Sequence, residues 1–330
     1  MAGLPADLAA SIFVVLHLPA TAESSLPEIL SRAGPFPATH PNDGELFKPR
    51  HVYVAKADHH MLVERGRVVV KKGPKENRFR PSIDALFRSA AYVYGRQVIG
   101  IVLSGMLDDG TSGLWSIKRM GGITMVQNPE TAAFDSMPLN ALRDVQIDHT
   151  LDAAGMGPLL AELIARPVAG KAAAKFKDAA KRMAIEIGIA TSDNAFQRGI
   201  MDLGKLTPFT CPECHGVLVE LKEGLGLRYR CHTGHAYSAN ALLGGVMEMV
   251  DEYNWQHVRA LEEAVMLLRH AGKHLSANEP AIAKVYFEHA KEAERQAGVL
   301  QKATLSHQNF SGDRLRAEGN RAMQKPKRRA

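Results

Sequence analysis

Two groups of residues in this 330-residue chain have types and spacings that could do chemistry. The first holds all three cysteines: Cys211-Pro-Glu-Cys214, then Cys231-His-Thr-Gly-His235. A C-x-x-C pair puts two thiolates on one tight turn, about as far apart as two corners of a zinc tetrahedron, and a second pair from another turn closes the site. Cys231 and His235 are the expected third and fourth ligands. His232 competes for the fourth position, and His215 is a weaker competitor. A redox C-x-x-C pair would call for neither a third cysteine nor a neighbouring histidine. Four protein ligands leave no open position on the metal, so structural Zn2+ is expected rather than catalytic Zn2+. The second group is His17, after the run Phe-Val-Val-Leu, and Asp109, in Ser104-Gly-Met-Leu-Asp-Asp-Gly110. A carboxylate beside an imidazole fixes its tautomer and stabilises its protonated form, which is the arrangement general base catalysis needs. Taken alone, His17 could equally be a structural histidine, and Asp109-Gly110 a turn or helix cap.

These residues need elements to hold them. Ser11 to Leu16 is a short apolar, β-branched run that predicts a buried parallel strand. Ser24 to Arg32 predicts a helix, His51 to Ala55 a strand, and Met61 to Lys71 a hairpin around Arg-Gly. Pro81 opens a helix to about Tyr94, since its missing N–H is harmless in a first turn. Val98 to Leu103 predicts another buried strand, Thr111 to Met120 a helix, and Ile123 to Val126 a strand. This alternation implies an α/β fold with a mainly parallel, doubly wound sheet. In such sheets chemistry gathers at the carboxyl ends of strands, where both His17 and the Asp109 loop fall.

Further along, residues 166–205 are Ala/Lys-rich at their start and are expected as a helical or partly ordered linker. Residues 206–240 form the ribbon around the cysteines, with Val217 to Arg230 alternating about Gly224 and Gly226 as a small hairpin. Residues 241–305 predict a helical hairpin. Its first helix, Leu242 to His270, shows Val250, Tyr253, Val258, Leu261, Val265 and Leu268 near one face. Its second, Ala281 to Thr304, carries Ile282, Val285, Tyr286, His289 and Leu300 on related positions, after a break at Gly272 to Pro280.

The net charge of +6 is unevenly distributed. Residues 313–330 carry seven basic and two acidic side chains, residues 171–182 five basic and one acidic. The rest is slightly negative overall, so the charge points to a solvated tail, 306–330, and argues against a nucleic-acid partner. The ribbon itself is balanced, with Lys222, Arg228 and Arg230 against Glu213, Glu220 and Glu223. No apolar run reaches the length that crosses a bilayer. No secretory signal opens the chain, and three cysteines make no disulfide framework, so a cytoplasmic location is expected. No Gly-x-Gly-x-x-Gly follows a strand, which argues against dinucleotide binding.

Taken together, Phe13-Val-Val-Leu-His17-Leu-Pro19, His51-Val-Tyr-Val-Ala55, Arg80-Pro-Ser-Ile-Asp-Ala-Leu-Phe-Arg-Ser-Ala-Ala91, Leu103-Ser-Gly-Met-Leu-Asp-Asp-Gly110, Gly121-Gly-Ile-Thr-Met-Val-Gln-Asn128 and Ser136-Met-Pro138 resemble the catalytic domain of the CheB family. These are chemotaxis protein-glutamate methylesterases. The resemblance covers about residues 5–165, making 1–165 the methylesterase-type domain. The ribbon and hairpin resemble a C-terminal extension found on some CheB-like proteins.

The resemblance implies hydrolysis of methyl esters on chemoreceptor glutamates, with deamidation of glutamines in some members. Methylated chemoreceptors are the implied partners. It implies a Ser/His/Asp triad in that chain order and no catalytic cofactor. His17 takes the place of the family's histidine and Asp109 that of its aspartate. Gly105 and Met106 lie on the loop associated with the oxyanion site.

The serine departs from the pattern. The family carries it in a Gly-Ala-Ser turn well before the histidine, and only sixteen residues precede His17. Ala2-Gly3-Leu4-Pro5 matches only the end of the helix that follows that turn. Ser11 falls inside a strand, and Ser24 and Ser25 on a helix after the histidine. Two expectations follow. In one, the natural chain starts further upstream and carries the missing strand and serine. In the other, the chain is an inactive, CheB-like adaptor acting through its ribbon and hairpin. The family's N-terminal receiver domain has no counterpart in this sequence.

Overall fold

The computed structural model describes residues 1, 3–167, 177–191, 195–223, 226–306 and 314–315. Expectations for Gly224, most of the basic tail and the first part of the expected linker lie outside the described residues. The chain divides into two compact units, Met1–Leu242 and Leu243–Ala330.

The first unit opens with two three-stranded parallel sheets. β1 (Ser11–Val14) and β2 (Ala38–Thr39) flank β3 (His51–Val54), with Phe13 opposite Tyr53 in the register. A hairpin of β4 (His60–Glu64) and β5 (Arg67–Lys71) turns at the expected Arg-Gly. In the second sheet β7 (Ile123–Gln127) lies between β6 (Ile99–Val102) and β8 (His149–Leu151).

Helices cover both faces, as strands buried on two sides require. α1 (Leu26–Ala33) and α5 (Ala153–Ala165) pack on one face: Leu26, Leu30, Ala161 and Ile164 meet Val52 and Val54, while Met156 and Leu163 meet Met125. α2 (Ile83–Tyr94), α3 (Thr111–Arg119) and α4 (Ser136–Asp144) pack on the other face, where Leu114, Ile117, Met137 and Ala141 meet Val102 and Val126. Because α2 and α5 each pack against both sheets, the two sheets work as one layer.

One expectation is corrected here and another is made specific. Ser11 to Leu16 was expected as a buried strand, but β1 is half-buried throughout, and β6 alternates buried with half-buried residues. Each is the edge of its sheet among the described residues, so one side of each lacks a strand neighbour. The stretch expected as a helical or partly ordered linker contains a helix, α6 (Lys177–Thr191), and that helix is packed. Its buried Ala179, Met183, Glu186 and Ala190 are spaced 4, 3 and 4 apart, a helical stripe hidden within an Ala/Lys-rich composition.

The ribbon is a four-stranded antiparallel sheet in the order β12-β11-β10-β9. β9 is Lys205–Thr210, β10 Val217–Glu223, β11 Gly226–Cys231 and β12 Ala236–Ser238. Leu218, Tyr229, Tyr237 and Leu242 close a small core around Cys211 and Cys231.

The second unit is built on α7 (Ala239–Leu275), which begins in the first unit, and α8 (Pro280–Ser306). Within this unit the helices form an antiparallel pair, tied by Arg269 Nη2 to Glu294 Oε2 at 2.7 Å. The expected break over Gly272 to Pro280 narrows to 276–279, since α7 runs on to Leu275 and α8 opens at Pro280. A Cβ at Gly272 would lie 3.0 Å from the Phe287 ring, so the glycine lets the helices approach closely. The expected face on α8 is also corrected. Ile282, Val285 and His289 are exposed, and the buried positions are Ala283, Ala290, Ala297 and Thr304, seven residues apart. On α7, Val258, Val265 and Gly272 repeat at the same interval. A strict seven-residue repeat is a coiled-coil seam, and small residues on it bring the helix axes together.

Candidate active site and metal centre

β1 and β6 are parallel elements whose carboxyl ends lead to His17 and to the 103–110 loop. The structure brings these together: Nε2 of His17 lies 3.1 Å from Oδ2 of Asp109. Nδ1 of His17 lies 3.1 Å from the Pro81 carbonyl. Both ring nitrogens thus face oxygen acceptors, which an imidazolium satisfies together and a neutral ring only one at a time. The Phe79 ring stacks on the imidazole at 4.1 Å between centroids, fixing its plane.

Asp109 is 1% exposed and collects donors from three segments. Asn77 Nδ2 donates to Oδ1 at 2.9 Å and Ser82 Oγ to Oδ1 at 2.8 Å. The Ile83 N–H donates to Oδ2 at 2.7 Å, and the Asp84 N–H to Oδ1 at 3.3 Å. The last two belong to the first turn of α2, so Asp109 caps that helix from another loop, where its dipole favours an anion. Ser82, the residue in the N-cap position, spends its hydroxyl on Asp109 rather than on its own helix. Pro81 lies just outside the helix it was expected to open, and its carbonyl serves His17. Burial alone would raise the Asp109 carboxyl, but hydrogen bonds from His17, Asn77 and Ile83 outweigh it and hold the group well below the usual range.

Asp84 is the reciprocal element. Its Oδ1 accepts from the Gly113 N–H at 2.6 Å, capping α3, and its Oδ2 accepts from Asn77 Nδ2 at 2.8 Å. Burial and the adjacent Asp109 charge push its carboxyl up. Two buried carboxylates thus sit side by side, bridged by one asparagine amide, and titrate as a pair.

The neighbouring loop is laid out differently from a ready oxyanion site. The Gly105 N–H donates to the Phe134 carbonyl at 3.0 Å and the Gly105 carbonyl accepts from the Met137 N–H at 2.9 Å, so neither is open to a substrate. A Cβ at Gly105 would lie 2.1 Å from Met137 Sδ, which explains the glycine by close packing. Met106 is 65% exposed. Asp108, next to the pair, accepts from Ser238 Oγ of the ribbon at 2.7 Å.

Similar sequences recur among known proteins. A family model described as CheB methylesterase matches residues 1–160. A putative protein-glutamate methylesterase/protein-glutamine glutaminase of Leptospira interrogans is 34% identical over 149 residues, covering 45% of this chain and 77% of its own. This chain belongs to the CheB methylesterase family. Protein-glutamate methylesterase/protein-glutamine glutaminase 1 of Myxococcus xanthus is 34% identical over 168 residues, half of this chain and 49% of its own. A relative in Yersinia pestis is 35% identical over 136 residues and 39% of its length. The chain therefore spans half or less of these longer relatives. The solved Thermotoga maritima CheB methylesterase catalytic domain is 32% identical, with a TM-score of 0.47 over 49% of this chain and 88% of its own.

The segments that match the CheB family end before the cysteine cluster. Cys211, Cys214, Cys231 and His235 bring one ligand atom each to within 4.8 Å of one another. Cys214 Sγ lies 3.6 Å from Cys231 Sγ, and His235 Nδ1 lies 3.6 Å from the sulfurs of both Cys211 and Cys231. With zinc–sulfur bonds of about 2.3 Å, the edges of a tetrahedron are about 3.8 Å, so the donor set fits a zinc ion. Two matching knuckles set it. The Cys211 carbonyl accepts from His215 N–H and the Cys231 carbonyl from Gly234 N–H, with His215 and Gly234 both at positive φ. Tyr237 Oη lies 3.1 Å from Cys211 Sγ, a hydrogen-bond partner for the thiolate. His232 lies against Gly216, and neither it nor His215 is among the four grouped ligands.

Several residues that build this region carry no sequence signal. Glu76, Arg88, Glu186, Arg228 and Arg230 form a buried charge cluster. Arg230 Nη2 meets Glu76 Oε1 at 2.6 Å and Glu186 Oε2 at 2.9 Å; Arg228 Nη2 meets Glu186 Oε2 at 2.8 Å; Arg88 Nη1 meets Glu76 Oε2 at 3.1 Å. The cluster joins α2, α6 and β11, and so fastens the ribbon to the methylesterase-type domain. Burial would raise Glu76, but Arg230 and Arg88 hold it at about 2. Among the described residues no helix is long and apolar enough to cross a membrane.

Proposed function

We propose that residues 1–165 are the hydrolytic part of a protein-glutamate methylesterase, acting on glutamate methyl esters of chemoreceptors and, by the same acyl chemistry, on glutamine side-chain amides. The observation that carries this reading is the contact of His17 with a buried, ionised Asp109 at the carboxyl ends of β1 and β6. Asp109 orients the ring and stabilises the imidazolium. His17 takes the proton of the attacking hydroxyl through Nδ1 and passes it to the departing methoxide, giving methanol. For that step Nδ1 exchanges the Pro81 carbonyl for the hydroxyl.

Among the described residues no hydroxyl is bonded to His17. The base and its orienting acid are present, and the nucleophile is not beside them. Methanol release from methylated receptor fragments by residues 1–330 is therefore expected about 10^4-fold or more below that of a complete family member. Joining the first strand and Gly-Ala-Ser turn of an active family member ahead of Ala2 is expected to restore release, and His17→Gln in that fusion to remove it again. A well-folded fusion that releases no methanol would favour the second reading, an adaptor acting through the ribbon and hairpin.

We also propose that Cys211, Cys214, Cys231 and His235 hold one structural Zn2+. The knuckle geometry and the matched ligand spacings support this. The purified chain should carry one equivalent of zinc by elemental analysis, and Cys231→Ser should lower that content and loosen the ribbon.

A further inference from the structure

One short turn touches both the ribbon and the His17–Asp109 pair. Glu76 and Phe79 exchange both backbone hydrogen bonds, 76 N–H to 79 carbonyl at 3.2 Å and 79 N–H to 76 carbonyl at 2.9 Å. The two residues between them, Asn77 and Arg78, have φ of 51° and 73°. This is a type I′ turn, which requires positive φ at both centres and favours asparagine at the first. Arg78 carries no such preference, so the turn needs support from outside.

The ribbon supplies that support. The Ala236 N–H donates to the Lys75 carbonyl at 3.1 Å, and the Asn77 N–H to the Ala236 carbonyl at 2.7 Å. The Ser238 N–H donates to Asn77 Oδ1 at 2.9 Å. Arg230 of β11 holds Glu76 at 2.6 Å. On its other side the turn meets the site. Asn77 Nδ2 donates to Asp109 and Asp84, and Phe79 stacks on His17. The Asn77 amide is thus used at every atom, its acceptor by the ribbon and its donors by the two carboxylates. The ribbon strand that grips the turn, Ala236–Ser238, starts one residue after His235 and five after Cys231.

We propose that β12 and Asn77 are positioning elements for the His17–Asp109 pair, so that metal occupancy of the Cys/His cluster is transmitted through the 76–79 turn to the imidazole. This rests on the reading of the cluster as a zinc site. Without metal, the knuckle 231–235 loses its cross-link, β12 loses its register against residues 75–77, and Phe79 and Asn77 lose the anchor that sets them against His17 and Asp109. A small ribbon of this kind depends on its metal for folding.

The test uses the full 330-residue chain labelled at histidine. The His17 ring Cε1–H cross-peak is assigned by its disappearance in His17→Gln. It lies over the Phe79 ring face, so its position reports the stacking. Chelator-stripped protein is titrated with Zn2+ alone, and metal content is measured in parallel. The expected result is a displacement of the His17 peak that saturates at one equivalent.

Two variants cut the relay at different points. Asn77→Gly keeps the positive φ and deletes the amide. Ser238→Pro deletes the N–H that the amide accepts. Each is expected to bind one equivalent of Zn2+ and to lose the His17 displacement. A purely structural role for the metal would leave the response intact in both. The proposal is overturned if one equivalent binds and the wild-type His17 peak stays put, or if the displacement survives in both variants. If no zinc binds, the metal content itself shows that the reading of the cluster has failed, and the relay falls with it.

Discussion

At the scale of single residues, Asp109 is committed to partners from several segments. It lies 3.1 Å from the His17 imidazole and accepts from one amide, one hydroxyl and two backbone N–H groups. Replacing it removes more than a catalytic partner. Asp109→Ala strands several buried donors and uncaps α2, so it should lower stability by about 3 kcal/mol in denaturant unfolding. Asp109→Asn keeps the volume and is expected to cost less.

Glu76 gives a pH prediction at the same scale. Its folded-state value of about 2 lies below its ordinary 4.5. A depressed value in the folded state means a contribution fully present above the ordinary value and lost as pH falls through the folded one. Stability should therefore fall between about pH 5 and pH 2, and Glu76→Gln should flatten part of that fall in melts recorded against pH.

At the scale of elements, the ribbon is fastened to the rest of its unit by buried charge as well as by apolar contact of Val219 and Leu221 with Ile189 and Ile200. Glu186 on α6 faces Arg228, Arg230 and Arg88 in a buried setting. Burial would raise its carboxyl, but the three arginines drive it far down. Glu186→Gln leaves those guanidinium groups undercompensated and should destabilise the first unit by about 3–5 kcal/mol, read as a drop in denaturation midpoint. The helical hairpin follows a different rule, because its seam is built on alanines. Ala290→Leu forces extra volume into the closest approach of the helices and should cost about 1–3 kcal/mol, seen as earlier loss of helical signal on heating.

At the scale of the whole molecule, the first unit joins a CheB-type α/β domain and the Cys/His ribbon through the 76–79 turn, a buried charge cluster and an apolar contact with α6. This gives the ribbon a consequence for the site that adding a separate module would not. Stripping the metal should leave the parallel sheets folded, because their core of Val52, Val54, Met125 and Val126 lies away from the knuckles. It should also speed proteolysis within 205–240, measured by mass spectrometry of the fragments.

The sequence by itself determined the strand and helix alternation, because short β-branched runs and helical stripes reflect local periodicity. It singled out by spacing the four Cys and His residues that the structure clusters, since C-x-x-C and C-x-x-x-H are local knuckles. It marked His17 and Asp109 as strand-end residues. The α8 seam stayed hidden because its buried residues are alanines, which carry little hydrophobic signal, while the larger Ile282 and Val285 face solvent. Only the tertiary structure decided that Asp109 caps α2, that Asn77 bridges it to Ser238, and that Glu76 and Glu186 both meet Arg230, 154 and 44 residues away in sequence. Such contacts join polar residues distant along the chain. Their value comes from burial, which no local pattern of a single sequence records.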